Sequence, residues 1–250
     1  MRHLKKSNVA WAVSFIYIAY LFVGQIPGLK GNELFSTTTV SIFLLIAYLI
    51  TSLLLWKVKK TVVFFIVAAL VGSFFEYTSL TTGIPFGHYY YTKDLGNFIG
   101  PIPLFIPLLW ASLSFYAYQA GKKLAMPFLM VALDLAFDPR FSGVLWVWTS
   151  KTQYFGDPWT NFLGWFITAA VISIIFSLIY KKSGSIDPRA MLFYVLFGID
   201  NCISDLYDGL RIPALISFII FSIILITFYV LRKTGRISSN LDMAKSISSA

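Results

Sequence analysis

An all-α bundle of about eight membrane-crossing helices, with both termini cytoplasmic, is the fold this sequence predicts. Three observations predict it. The 250 residues are 58% hydrophobic and 12% charged, with a mean hydropathy of +0.75, against about 25% charged in soluble domains. Apolar runs of spanning length recur along the chain. The basic residues gather at alternate ends of those runs, as orientation in a membrane requires.

Taken in order, the first run lies in MRHLKKSNVAWAVSFIYIAYLFVG. It has the basic end and apolar stretch of a signal peptide but no small-x-small cleavage site, so it reads as a retained helix over 9–26. Further runs fall at 39–56, 61–79, 101–120, 162–180, 190–207 and 212–231, with a shorter one at 124–137. The short run decides the topology. If it crosses, 15 of the 20 Lys and Arg residues lie inside and 5 outside. If it does not, the later basic clusters fall on the wrong side. Eight spans follow, in a multi-pass protein of the cell membrane. They form one domain, 1–236, and a polar cytoplasmic tail, 237–250.

Composition also excludes. A net charge of +9 would suggest nucleic acid in a soluble protein, but here the charge flanks the spans and no nucleic-acid partner is expected. Cys202 is the single cysteine and His3 and His88 are the only histidines; neither a disulfide nor a zinc motif can be built from them. No dinucleotide, Walker or GxSxG pattern occurs, so no cofactor and no metal is expected.

Two outer loops carry the unusual residues: TTGIPFGHYYYTKDLGNFIGPIP and FDPRFSGVLWVWTSKTQYFGDPWTN. Interfacial aromatics and turns account for part of this. Loops this long also serve as lids, and VLWVW is expected to dip into the membrane edge. Below them lies a layer of acids. A rise of about 1.5 Å per residue puts Glu76 roughly 24 Å from the inner boundary. Asp134 and Asp138 come out roughly 17 and 23 Å deep, and Asp200, Asp205 and Asp208 roughly 16, 24 and 28 Å. Asn201, Asp205 and Asp208 share a helical face. Each acid alone has a structural explanation: Asp138 precedes Pro139, Asp208 precedes Gly209, and Asp200 could bond a neighbouring helix. As a set, intramembrane acids mark a site. The expectation is a polar pocket in the outer half, with Asp200, Asn201, Asp205 and Asp208 on one side and the aromatic loops as its roof.

GIPFGHYYYT (83–92), LDLAFDP (133–139), WVW (146–148) and YFGDPWTNFLGW (154–165) together resemble the CruF-type carotenoid biosynthesis proteins, which include the bisanhydrobacterioruberin hydratases. The resemblance covers roughly Glu76 to Trp165; DNCISDLYDG (200–209) lies outside it. It implies addition of water across the terminal C=C bond of an acyclic carotenoid, giving a tertiary alcohol without a redox cofactor. The implied partners are a lipophilic polyene, membrane lipid and other membrane enzymes of carotenoid synthesis.

The residues suit that chemistry. Protonating a trisubstituted alkene gives a tertiary carbocation, which needs a positioned acid, and a carboxyl in apolar surroundings keeps its proton. Paired carboxyls divide the acid and base work. Asp134 and Asp138, one turn apart, supply the pair and Glu76 can join them. Asp134 or Asp138 is the expected proton donor, with the other or Glu76 activating water. Aromatic faces attract the cation. The candidates to contact the substrate are Trp110, Tyr89, Tyr91, Trp146, Trp148, Tyr154 and Trp165, together with Asn161. Two other readings compete. DLAFD and NCISD followed by Asp208 loosely match the Asp-rich motifs of magnesium-dependent membrane prenyltransferases, though the spacing is imperfect and the acids lie on the outer side. A proton-coupled transporter would also use buried acids, but no inverted repeat is visible.

Overall fold

The computed structural model of the protein describes residues 2–181 and 185–234; the expected tail, 237–250, lies outside them. Among the described residues seven α-helices make an all-α membrane bundle: α1 (Arg2–Gly24), α2 (Thr37–Leu55), α3 (Val58–Thr82), α4 (Phe105–Phe141), α5 (Trp159–Ile179), α6 (Pro188–Tyr207) and α7 (Arg211–Lys233). All but α4 are long and apolar enough to cross a membrane. Local chemistry sets several ends. Ser36 caps α2 by accepting from the Thr39 amide at 3.3 Å. Asp187 caps α6, accepting from the Arg189 amide at 3.0 Å, with Pro188 in the first helical position where its missing N–H costs nothing.

The central element, α4, joins the fourth expected run to the short fifth one. Lys122 breaks it with φ 52° and ψ −160°, and the halves, 105–121 and 123–141, fold back on each other. The Trp165 ring lies 4.6 Å from that of Trp110 and 6.3 Å from that of Phe137. In one straight helix Trp110 and Phe137 would stand roughly 40 Å apart. The short run is therefore the return arm of a hairpin, with Lys122 and Lys123 at the bend. Around this hairpin pack α2, α3, α5, α6 and α7. Small hydroxyls tie the interior: Ser14 Oγ lies 2.8 Å from Thr51 Oγ1 and 3.2 Å from the Tyr116 hydroxyl, the kind of polar link helices use in lipid.

The two aromatic loops are joined, which the sequence did not predict. Strand β1 (Tyr89–Tyr91) pairs antiparallel with β4 (Trp146–Trp148), Tyr89 opposite Trp148 and Tyr91 opposite Trp146. A second ribbon, β2 (Phe98–Ile99) with β3 (Ile102–Pro103), forms within the first loop. VLWVW thus enters a ribbon over the bundle. Side chains alternate across a strand, so Tyr90 is 54% exposed while Tyr89 is buried and Tyr91 half-buried.

Candidate active site

The buried stripe of α3 runs through Phe64, Ala68, Gly72 and Glu76, the four-residue spacing of one helical face. Gly72 matters to Glu76, because a Cβ there would meet the Trp110 ring at 2.5 Å. Its absence lets the indole lie against α3, and Trp110 Nε1 donates to Glu76 Oε1 at 2.9 Å. The inward pair of β1 completes the shell: the Tyr91 hydroxyl donates to Oε2 at 2.6 Å and the Tyr89 hydroxyl donates to the same oxygen. Burial, and after it the Glu76 charge, pushes both phenols well above their ordinary value, so they remain donors. Glu76 thus accepts three hydrogen bonds, as a carboxylate can.

Across the cavity stand Asp134 and Asp138, one turn apart on the return arm of α4 and both buried. Asn161, in the first turn of α5, bridges them: its Nδ2 donates to Asp138 Oδ2 at 2.6 Å and to Asp134 Oδ2 at 3.0 Å. Asp138 lines the cavity together with Glu76, whereas Asp134 sits one turn deeper, its Oδ1 without a hydrogen-bond partner among the described residues. The donors to these three acids are phenols, an indole and an amide. Neither the Lys30–Asp208 nor the Arg189–Asp187 ion pair touches them.

The cavity itself is small, about 40 Å³, enough for a water molecule or the tip of a hydrocarbon chain. Trp110, Trp146, Trp148, Trp165, Tyr89 and Tyr91 line it. Phe86 closes against α5, where an added Cβ on Gly164 would meet its ring at 2.1 Å. Tyr154 is placed differently from the other aromatic candidates: its hydroxyl donates to the Leu135 carbonyl at 3.2 Å and its ring stands edge-on to Phe162, outside the cavity wall.

Asp157 belongs to the cluster although the sequence reading left it in a loop. Its side chain is fully buried and Trp148 Nε1 donates to its Oδ1 at 2.8 Å. Burial raises this carboxyl to about 7 against the Trp148 bond, which pulls it down. It faces both Asp134 and Asp138 electrostatically. The signal available in sequence was its place in YFGDPWTN, where Gly156 and Pro158 turn the chain inward.

The acids of α6 form a second cluster beside a larger chamber of about 380 Å³, bounded by α1, α2, α4 and α6. Ile106, Leu109, Phe137 and Trp146 belong to the walls of both spaces. Asp200, Asn201 and Asp208 line the chamber, and Asp205 is fully buried nearby with neither oxygen hydrogen-bonded among the described residues. This cluster contains cations. Arg140 donates to Asn201 Oδ1 at 2.9 Å and faces Asp205, Asp200 and Asp208. Lys30 pairs with Asp208 at 2.8 Å, and Gln25 Nε2 donates to Asp200 at 2.8 Å and to Ser204 at 2.7 Å. Arg140 and Gln25 are components the sequence reading did not single out. Among the described residues, no three His, Cys, Asp or Glu side chains are grouped as a metal site, the donor set the prenyltransferase reading needs.

Comparison with known proteins adds three findings. The family model for carotenoid biosynthesis proteins matches residues 34–225, a stretch that contains both acid clusters. Bisanhydrobacterioruberin hydratase of Haloarcula japonica is 26% identical over 124 residues, which cover 44% of this chain and 42% of that protein; the chain matches about two fifths of the length of this curated relative. No solved structure matches.

Proposed function

Because this chain belongs to the carotenoid biosynthesis protein family, we propose that it is a cofactor-independent carotenoid hydratase, adding water to the terminal C=C bond of an acyclic end group. One observation carries this reading: Glu76 and Asp138 meet on a single aromatic cavity, with no cation bonded to either among the described residues. The similarity to a protein named as a hydratase supports it. We place the enzyme in the cell membrane with eight crossings, each arm of the α4 hairpin counting as one.

In this mechanism two carboxyls sharing the Asn161 amide hold one proton between them, since adjacent buried carboxylates do not both ionise. Asp138, which faces the cavity, transfers that proton to the less substituted carbon of the terminal C=C bond. The electron pair of the C=C bond forms the new C–H bond and leaves a tertiary cation at the neighbouring carbon. Indole and phenol faces stabilise it. Water then attacks the cation, Glu76 takes the proton released as the C–O bond forms, and that proton returns to the aspartate pair through the cavity. Asp134 acts through Asp138, as the partner that shares its proton.

The test is expression in a host that makes acyclic carotenoids, with the pigments analysed by mass spectrometry. A gain of one water per modified end is expected, and it disappears with Asp138→Asn. Unchanged pigments with several acyclic substrates would overturn the reading.

A further inference from the structure

We propose that the larger chamber is the water supply of the reaction, its polar wall holding the molecules that quench the carbocation; this rests on the hydratase reading. Three features of the chamber point there. Its outer rim is the Lys30–Asp208 pair, whose side chains are 42% and 36% exposed, and exposed pairs of this kind contribute little and open easily. Its α6 side carries Asp200, Asn201 and Ser204, joined by Gln25 and Arg140. The chamber is roomy, and although most of its lining is apolar its α6 wall is polar, which suits water along that wall; Asp205 on the same helix is fully buried with neither oxygen hydrogen-bonded among the described residues, the kind of group that internal water satisfies.

The charges argue against an anionic ligand. Asp200, Asp205 and Asp208 outnumber Arg140 and Lys30, so a phosphate or diphosphate would meet net negative charge. The connection to the chemistry is direct. Ile106, Leu109, Phe137 and Trp146 wall both spaces, and Arg140 follows Asp138 by two residues. A water molecule crossing between Ile106 and Phe137 arrives at the cation without passing the aromatic roof.

The cation has two fates, and the experiment reads both. Capture by water forms the C–O bond and gives the alcohol. Loss of a proton from an adjacent carbon to a carboxylate regenerates the alkene. In D2O the acid delivers deuterium, and whenever the cation loses a protium rather than the delivered deuteron the label stays in the recovered alkene. The double variant Gln25→Leu with Ser204→Val removes polarity from the chamber and leaves every group of the acid cavity in place. Hydration is expected to fall about tenfold or more while deuterium incorporation into substrate persists or rises. If both fall together, the chamber holds the hydrocarbon rather than water, and the proposal fails; it fails equally if neither changes. Should the double variant not fold, Ser204→Val alone carries the same ratio test, since Gln25 keeps its bond to Asp200. Wild-type protein yielding neither alcohol nor deuterated substrate would instead count against the hydratase reading itself.

Discussion

The two acid clusters lie against neighbouring spaces and differ in what neutralises them. Asp200, Asp205 and Asp208 face Arg140, and Asp208 also pairs with Lys30. Among the described residues the donors to Glu76, Asp134, Asp138 and Asp157 are neutral: two phenols, two indoles, one amide and the Ser142 hydroxyl beside Asp157. Charge beside charge stabilises ionised acids and ties helices together. Acids without cations have to manage their protons among themselves, and that is the property a proton-transfer site needs. The contrast separates a chamber whose acids face cations from a cavity whose acids do not, although both began as the same feature of the sequence.

Removing one acid from the cation-free cluster tests this most severely. Asp138→Asn should lower hydration by about 10³-fold, the contribution of a positioned general acid, without loss of thermal stability, because the amide keeps the shape of the side chain and an oxygen to accept from Asn161. Asp134→Asn, one turn deeper, should be milder, by about an order of magnitude. Equal losses from the two would mean that the pair does not divide as its geometry suggests. The measurement is turnover of purified variants beside their melting temperatures.

In the cluster that contains cations the pattern should reverse. Arg140→Met strands Asp200, Asp205 and Asp208 without their shared cation, and the expected cost is about 3 kcal/mol of stability. Adding Asp205→Asn should restore part of it. Melting in detergent across the two variants and the wild type checks this, and an undisturbed melting temperature in Arg140→Met would erase the distinction between the clusters.

A smaller effect concerns Asp157, in the loop above the cavity. Its folded value of about 7 lies above its ordinary 3.8. Between those values the unfolded chain has released a proton that the folded chain still holds. Stability attributable to this group is therefore full in acid and declines as pH rises through that window, by at most about 1.4 kcal/mol per pH unit. Asp157→Asn should flatten that slope in melting curves recorded from pH 5 to 8.

How far was this legible beforehand? Membrane character and the run pattern came from the chain itself. So did the turn at Lys122 and Lys123, because charges avoid the hydrocarbon and gather at bends. Asp157 and Arg140 escaped notice for a shared reason: each looked like an ordinary loop or helix-end charge, and only neighbours distant in sequence bury it. The ribbon between β1 and β4 is likewise non-local, joining residues more than fifty positions apart.

What the sequence determined by itself was position along the membrane normal, since transfer free energy is summed residue by residue and a helix rises by a fixed step. What the tertiary structure decided was direction around each helix axis. Lipid is as apolar as a bundle interior, so hydrophobicity does not mark the inner face of a helix. Only packing, through Gly72 against Trp110, Gly164 against Phe86 and Asn161 between two aspartates, turned Glu76 and Asp138 toward one cavity and the acids of α6 toward another.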